Sequence, residues 1–235
     1  MMCYAFFDKD GRGLETMEEH IKKGLEVIDF YIKRNYHKKV AKCLNVDNKV
    51  GKIILEVSYV LHDVAKNLKY YQDKKTFRGH EFYSAYIAHN SITTLTGDEN
   101  KDKKIRKAIA CAIALHHHTM VNRFNLIEDS SKLKLCDDGI EVVKKYSPIE
   151  INIPNEIISN IEHSIMDLFT NSDEIFKGIY LILVPLMVAD NISAILNRKN
   201  ANENLGVLGR EVIEIYNIYK KYLGDSHAIH NNFGI

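Results

Sequence analysis

Apolar residues recur at steps of three and four along most of the chain, which is the spacing that puts them on one face of an α-helix. The first such stripe is formed by Leu14, Met17, Ile21, Leu25, Ile28 and Ile32. A second stripe, in residues 49–66, is apolar on more than one face, so we expect that helix to be mostly buried. The whole pattern predicts helices over residues 14–32, 49–66, 80–96, 101–118, 137–146, 155–169, 172–197 and 206–223.

Polar stretches with glycine and proline separate these helices and predict loops. They cover residues 67–79, 97–100 and 122–136, and Pro148 and Pro154 bracket an extended link. No internal repeat, proline-rich linker or low-complexity tract divides the sequence. We therefore expect a single all-α domain over residues 1–235, with any strands limited to short pieces near the N-terminus and a loosely held tail at 224–235.

The composition is that of a domain that folds unaided and carries little net charge. Of the 235 residues 46% are hydrophobic, and 32 basic against 31 acidic residues leave a net charge of +1. This balance excludes a field that would draw the whole molecule onto nucleic acid or membrane. The four cysteines are scattered, as expected for free thiols in a reducing compartment. The N-terminus lacks the pattern of a signal peptide. The most hydrophobic run, residues 179–189, is too short to span a bilayer. We predict a cytoplasmic protein without a membrane span.

Histidines and aspartates stand at or near helices, where ligands from several helices can meet. The candidate metal ligands are His20, His62, Asp63, His80, His116, His117 and Asp190. Imidazole and carboxylate are the donors that first-row metals prefer. Asp190 is the most informative, because an ionised carboxylate inside the apolar run ILVPLMVADNISAIL costs several kcal/mol unless a cation or hydrogen bonds compensate it. The pattern predicts a metal site in the helical core.

The order of these residues resembles that of the HD phosphohydrolases, whose pattern is a histidine, a His-Asp pair and a distant aspartate. His20, His62, Asp63 and Asp190 fill that pattern. The further histidines make residues 3–198 look like the HD nuclease domain of the CRISPR interference nuclease-helicase. The segments that carry this likeness are EEHIKKGLEVI, LHDVAK, FRGHEFYSA, IALHHHTM and LMVADNISA.

The sequence contains no Gly-x-x-x-x-Gly-Lys-Ser/Thr phosphate loop of a helicase. The resemblance is therefore to the stand-alone form of the type I nuclease. That form implies two partners, a separate helicase subunit and an RNA-guided CRISPR complex.

The resemblance implies two divalent ions in one site, drawn from Mn, Ni, Co, Fe or Mg. Asp63 would bridge the ions. The remaining ligands would be His20, His62 and Asp190 for one ion and His80, His116 and His117 for the other. Because three histidines stand in a row, a ligand pair of His117 and His118 stays open.

The implied reaction is hydrolysis of phosphodiester bonds in single-stranded DNA, with RNA as a further candidate substrate. The ions lower the pKa of a water, which attacks phosphorus in line. Lys66 would stabilise charge on the phosphate or leaving oxygen, so Asp63 and Lys66 are the predicted catalytic residues. Two rival hypotheses remain: an HD phosphohydrolase that acts on small nucleotides, and a catalytically silent scaffold that needs metal to hold its fold.

The segment KNLKYYQDKKTFR mixes cationic and aromatic side chains. Surfaces of this kind bind single strands by backbone attraction and base stacking. The predicted nucleic-acid-binding residues are Lys69, Tyr70, Tyr71, Lys74, Lys75 and Arg78. Ordinary surface lysines with hydrophobic anchors would give the same composition, so that alternative also stays open.

Overall fold

The computed structural model describes residues 2–117, 126–127, 132–170, 172–198 and 214. Most of the described chain is helical, which confirms the predicted helical fold class. The α-helices are α1 (Met17–Lys33), α2 (Tyr36–Leu44), α3 (Asn48–Leu61), α4 (Lys69–Lys74), α5 (His80–Ser91), α6 (Glu99–Leu115), α7 (Asp137–Tyr146), α8 (Glu162–Phe169) and α9 (Phe176–Asn197). Short 3₁₀ helices cover Val64–Asn67 and Asp173–Ile175. Two small antiparallel sheets pair β1 (Tyr4–Phe7) with β2 (Gly13–Thr16), and β3 (Lys132–Lys134) with β4 (Glu156–Ile158).

Helix α1 begins three residues later than the apolar stripe predicts. The Thr16 hydroxyl accepts a hydrogen bond from the Glu19 amide at 3.2 Å, and the Glu19 carboxylate accepts one from the Thr16 amide at 2.9 Å. This reciprocal capping box ends the strand and starts the helix. Leu14 therefore lies in β2 with 39% of its surface exposed, while its neighbour Glu15 is buried.

Helix α9 packs against α1, α2, α3 and α6 and is the central helix of the described core. The close approach of α1 and α3 depends on Gly24, because a Cβ atom at that position would lie 1.8 Å from the Tyr59 hydroxyl of α3. This approach brings His20 of α1 next to the end of α3. The packing of long helices on one another thus positions the site.

By length and apolar composition alone, α9 could cross a membrane, and it is the one helix of the described ranges that could. It spans 22 residues, and half of its most apolar stretch is buried within the protein. It also carries the buried Asp190 and packs on four helices. We therefore assign it as a core helix, longer than the apolar run 179–189.

Some predicted loops and boundaries were wrong. Residues 67–79, expected as a loop, contain α4, and α2 was not predicted at all. The helix predicted over residues 80–96 ends at Ser91, because Ile92 forms a β-bridge with Ile151. These elements are defined by contacts with distant parts of the chain, which local periodicity does not report.

The second sheet is a further correction, since strands were expected only near the N-terminus. Strand β4 occupies the first part of the predicted helix 155–169, of which α8 forms the rest. Within β4 the burial alternates, with Ile157 inside and Glu156 and Ile158 outside, as a strand requires. Apart from residue 214, the predicted helix 206–223 and the tail 224–235 lie outside the described residues.

Candidate metal centre

Two groups of potential ligands meet at the centre of the fold. The first, here called the carboxylate cluster, is His20, His62, Asp63 and Asp190, and the second, the histidine cluster, is His80, His116 and His117. Within each cluster the ligand atoms lie within 4.8 Å of one another. The tertiary structure thus brings all seven predicted ligands together.

Helix ends deliver most of these side chains. His62 and His116 are the C-cap residues of α3 and α6, and His80 is the first residue of α5. Asp63 leaves helical geometry, with φ −111° and ψ 11°, and precedes a 3₁₀ helix. In a continuous helix the side chains of His62 and Asp63 would point about 100° apart. The break lets both face the same centre.

The carboxylate cluster has separations that suit one ion. His20 Nε2 lies 3.3 Å from both His62 Nε2 and Asp63 Oδ2, and 3.4 Å from Asp190 Oδ1. His62 Nε2 lies 3.4 Å from Asp63 Oδ2 and 3.6 Å from Asp190 Oδ1. Ligands held at about 2.1 Å from one ion lie about 3.0–3.4 Å from their neighbours. The observed cluster is close to that spacing.

Asp63 joins the two clusters through its two carboxylate oxygens. Oδ2 faces the carboxylate cluster, whereas Oδ1 lies 2.7 Å from His80 Nε2 and 3.8 Å from His116 Nε2. His117 completes the second group, with its ring centroid 3.9 Å from that of His116 and 5.2 Å from that of His80. The arrangement suits a carboxylate that bridges two ions.

Three histidines direct Nε2 to the centre because Nδ1 is held by the carbonyl three residues earlier. The Nδ1–carbonyl distances are 2.6 Å for His62 to Tyr59, 2.5 Å for His80 to Phe77 and 2.5 Å for His116 to Ile113. A hydrogen bond from Nδ1–H sets the tautomer that leaves Nε2 free to bind a metal.

His20 is held differently, by the buried carboxylate of Glu15, a residue that sequence reasoning missed. Glu15 Oε1 lies 2.8 Å from His20 Nδ1 and accepts a hydrogen bond from Asn197 Nδ2 at 2.7 Å. Arg198 Nε donates to Glu15 Oε2 at 2.8 Å. The sequence of β2 did not predict the burial of Glu15, because side chains alternate along a strand and hydrophobicity alone would bury Leu14 and expose Glu15. The end of α9 thereby supports a ligand on α1.

A second support for His20 comes from Tyr59 and Ser193. The Tyr59 hydroxyl donates to the His20 carbonyl at 3.2 Å and lies 3.0 Å from Ser193 Oγ. Ser193 Oγ in turn lies 3.2 Å from His20 Nδ1. These polar groups are buried and satisfy one another, so the position of the His20 ring is well defined.

Lys66, the predicted catalytic lysine, is buried beside Asp63. Its Nζ lies 2.6 Å from Asp63 Oδ2 and 5.3 Å from the centroid of the Phe77 ring. The Ser84 hydroxyl accepts a hydrogen bond from the Ala65 amide at 3.1 Å and so supports the turn that carries the lysine. The structure thus places the Lys66 amine directly at the Asp63 carboxylate.

The carboxylates of the site are held in their ionised form. Burial alone would raise the pKa of Asp63, but the charges of His62, Lys66 and His80 lower it well below its usual value. Burial would likewise raise the pKa of Glu15, but His20 and Arg198 lower it to about 2. Ionised carboxylates in a buried site favour the binding of a cation.

The imidazole of His20 differs in charge from those of His116 and His117. Burial would lower the pKa of His20, but the charge of Glu15 and hydrogen bonds with Asp190 and Asp63 raise it well above its usual value. In contrast, burial and the charge of His62 lower the pKa of His116 to about 3. Burial and His116 lower the pKa of His117 as well. His116 and His117 are therefore neutral near pH 7.

The hydrogen bonding of the ligand atoms indicates whether they suit a metal ion. Asp63 Oδ1, Asp63 Oδ2, His80 Nε2 and His116 Nε2 are all buried and lack a hydrogen bond of normal geometry within the described residues, although Asp63 has close ionic contacts with Lys66 and His80. Buried polar atoms whose hydrogen bonding is incomplete are costly, and four of them converging on one point favour a bound cation. Together with the nitrogen and oxygen donor set, this shows that the site fits divalent metal ions.

Most of the predicted nucleic-acid-binding residues lie on the exposed side of α4 and the following turn. Lys69, Lys74, Lys75 and Arg78 are exposed, and Tyr70 has 36% of its surface accessible. Behind this face, Gln72 anchors α4 by donating to the Lys66 carbonyl at 2.7 Å. The exposed face is therefore attached to the turn that carries Lys66.

Tyr71 is a correction to the predicted interface. It is 1% exposed, its hydroxyl donates to the Arg78 carbonyl at 3.1 Å, and its ring packs edge-on against Tyr83 at 6.3 Å between centroids. A ring enclosed in this way cannot stack on a base. Tyr71 is a hydrophobic anchor, as the alternative interpretation of the segment proposed, while Tyr70 keeps its accessible ring.

Comparison with known proteins identifies a solved structure with a similar fold. No family model matches the sequence, and no curated protein matches it. Among solved structures, the CRISPR-associated Cas3 HD domain protein from Methanocaldococcus jannaschii aligns with a TM-score of 0.50 and 20% sequence identity, over 73% of this chain and 95% of that chain. This chain has an HD-domain fold. The fold expected from the resemblance is confirmed, and the HD-domain fold carries its buried histidine and aspartate clusters.

The alternative ligand pair of His117 and His118 concerns a residue outside the described ranges. His118 is not described, whereas His116 and His117 both lie next to His80. The choice between the two pairs therefore stays open.

Proposed function

We propose that this protein is a divalent-metal-dependent phosphodiesterase that cleaves single-stranded DNA in CRISPR interference, as a stand-alone HD nuclease. The observation that carries the proposal is the position of Asp63, whose two oxygens face two separate ligand clusters. Two-ion sites of this kind are widespread among enzymes that break phosphate esters. The HD-domain fold shared with a CRISPR-associated protein supports the proposed role in CRISPR interference.

The buried ligands would hold the ions, and the protein's own residues would do the positioning. Bound divalent ions would supply a water of lowered pKa and neutralise phosphate oxygens. Asp63, held ionised by its neighbours, would keep the two clusters at a constant separation. Lys66, 2.6 Å from Asp63 Oδ2, would stabilise negative charge on the phosphate or the leaving oxygen.

The exposed face of α4 would guide the strand to the site. Lys69, Lys74 and Tyr70 lie on this face, and Gln72 ties it to the Lys66 turn. Phe77 continues the path, because its ring lies 5.3 Å from Lys66 Nζ and 6.5 Å from the His80 ring. Cations attract the backbone and accessible rings stack on bases, so the surface suits a single strand.

The partners and location follow from the same proposal. A separate helicase subunit and an RNA-guided complex would expose the single-stranded DNA to this nuclease. We place this activity in the cytoplasm, and we regard RNA as a second substrate to test.

The deciding experiment is cleavage of labelled single-stranded DNA by the full chain, stripped of metal and resupplied with Mn, Ni, Co, Fe or Mg. We expect cleavage only with added metal, and we expect Asp63→Ala to reduce the rate by about 1,000-fold, since a metal site contributes several kcal/mol to transition-state stabilisation. Single-stranded RNA, duplex DNA and a panel of nucleoside phosphates serve as parallel substrates.

Three outcomes would contradict the proposal. Hydrolysis of nucleoside phosphates without DNA cleavage would identify an HD phosphohydrolase of small nucleotides. Loss of folding on metal removal, seen by circular dichroism, combined with no activity for any substrate, would identify a scaffold. Equal cleavage by wild type and Asp63→Ala would indicate a contaminating nuclease.

Tyr70 and Tyr71 form a matched pair for testing the DNA surface. Tyr70→Ala should weaken single-strand binding by about 1–3 kcal/mol through lost stacking, with little change in stability. Tyr71→Ala should instead lower the free energy of unfolding by about 3–5 kcal/mol, as for other buried aromatic residues. Fluorescence anisotropy with labelled DNA and thermal denaturation measure the two effects. Unchanged affinity in Tyr70→Ala would remove α4 from the proposed interface.

A further inference from the structure

The N-terminal half of α9 exposes an apolar stripe on the side of the helix away from the metal ligands. Phe176, Tyr180 and Val184 are 55%, 44% and 47% exposed. They recur every four residues and so share one face. The buried Asp190 lies on the inward face of the same helix. Large exposed apolar patches of this kind mark interaction sites.

The stripe forms one wall of a groove, and α2 forms the other. Tyr36 and Cys43 of α2 line the groove, whose volume is about 780 Å³. The two helices can approach closely beside the groove because Gly178 has no side chain, and a Cβ atom there would lie 2.5 Å from Leu44 Cδ2. The groove is thus a product of helix packing, with about two turns of each helix along its walls.

The charges around the groove are all of one sign. Lys39, Lys42 and Lys177 line it and are exposed, and no acidic side chain is among the described residues that line it. We propose that this groove binds an amphipathic helix of a partner protein, with apolar side chains toward the stripe and acidic side chains toward the three lysines. Helix-in-groove recognition with complementary charges uses both features of the surface.

Two other occupants fit less well. A second copy of this chain would bring one set of three lysines against another, and such like-charge contacts are unfavourable. A lipid surface would suit a convex apolar helix, whereas this site is concave between two helices. The charge and shape of the groove therefore favour an acidic helix.

Cys43 supplies a reporter at the site. It is exposed and lines the groove, whereas Cys3, Cys111 and Cys136 are buried. A helix seated in the groove should slow the alkylation of Cys43 by N-ethylmaleimide, and mass spectrometry would identify the modified residue.

The probe is a synthetic 18-residue helical peptide with leucines on one face and glutamates on its flanks. We expect this peptide to bind the full chain by fluorescence anisotropy and to slow Cys43 alkylation. The triple variant Lys39→Glu, Lys42→Glu, Lys177→Glu should weaken binding by about tenfold or more. The control triple variant Lys101→Glu, Lys103→Glu, Lys144→Glu makes the same change of net charge at exposed sites elsewhere and should bind as wild type.

Tyr180→Ser tests the apolar wall separately from the charges, and metal binding by each variant shows whether the fold is intact. Equal binding of a peptide with lysines in place of the glutamates, or of a scrambled acidic peptide, would overturn the proposal. So would protection of Cys43 by phosphatidylglycerol vesicles but not by the peptide, which would assign the groove to a membrane. A wild-type dimer that Tyr180→Ser dissociates would assign it to a second copy of the chain.

Discussion

The carboxylate cluster and the histidine cluster lie side by side and share Asp63, yet they differ in charge and support. The first contains two ionised aspartates and a histidine held by Glu15, and all of its ligands are buried. The second contains three imidazoles, of which His116 and His117 are neutral near pH 7. His80 and His116 are held by backbone carbonyls, and His117 is half-buried. Because charged ligands and a charged support attract a divalent ion more strongly, we expect the carboxylate cluster to bind its ion more tightly. The two clusters should therefore differ in their affinity for a divalent ion because they differ in ligand charge.

The largest effect should come from the residue common to both clusters. Asp63→Ala removes a ligand from each, so the full chain should lose both ions when titrated with Mn. Native mass spectrometry would count the ions directly, and circular dichroism would verify that the variant folds. Retention of one ion at wild-type affinity would show that Asp63 belongs to a single cluster.

Paired histidine variants should separate the two clusters. His62→Ala should abolish the tighter binding event and His80→Ala the weaker one, because each ring belongs to one cluster. Isothermal titration calorimetry with Mn resolves the two events as separate steps. If either substitution removed both steps equally, the two clusters would act as a single cooperative site.

Glu15 offers a smaller change at a residue that touches no ion. Glu15→Gln keeps the shape of the side chain but removes the charge behind His20, and substitutions of this kind typically weaken metal binding by about 10- to 100-fold. We expect this loss for the tighter ion only. Glu26→Gln, on the exposed face of α1, the helix that carries His20, is the matched control. Equal weakening of both ions would mean that Glu15 acts on the fold as a whole.

The pH dependence should also differ between the clusters. The pKa of His20 is raised above its ordinary value of 6.5, so metal must displace a proton there, and affinity for the tighter ion should rise as pH increases through that raised pKa. Metal binding by His116 and His117 should change little between about pH 6 and pH 9, because these two imidazoles are already neutral.

The metal-free protein should show the opposite trend in stability. A raised histidine pKa contributes stability that is fully present below the unfolded pKa and is lost as pH rises through the folded pKa. Thermal denaturation of the metal-free protein across this pH range would measure the trend.

For metal binding, titration calorimetry in buffers of different ionisation enthalpy would count the protons released at each site. Proton release from the weaker site, or none from the tighter one, would contradict the assignment of the tighter site to the carboxylate cluster.

Much of the site could be predicted from the sequence because its ligands have a distinctive chemistry. A charged Asp190 inside an apolar helix, and histidines at helix ends, are local signals that need no structure. Glu15 gave no such signal, because it lies in a short strand where its exposed neighbour Leu14 is the apolar residue. Tyr71 and Tyr70 are equivalent in the sequence, and only packing against Tyr83 separates the buried ring from the accessible one.

Periodicity by itself determined that the described chain is mostly helical, and residue chemistry determined which side chains form the candidate metal site, because both properties are encoded locally. The tertiary structure alone decided that Asp63 faces two clusters, that α9 brings Arg198 and Asn197 to Glu15, and that β3 pairs with β4. These contacts join residues far apart in the chain, and their geometry depends on how whole helices pack. A groove between α2 and α9 is likewise a property of two elements together, which neither segment specifies alone.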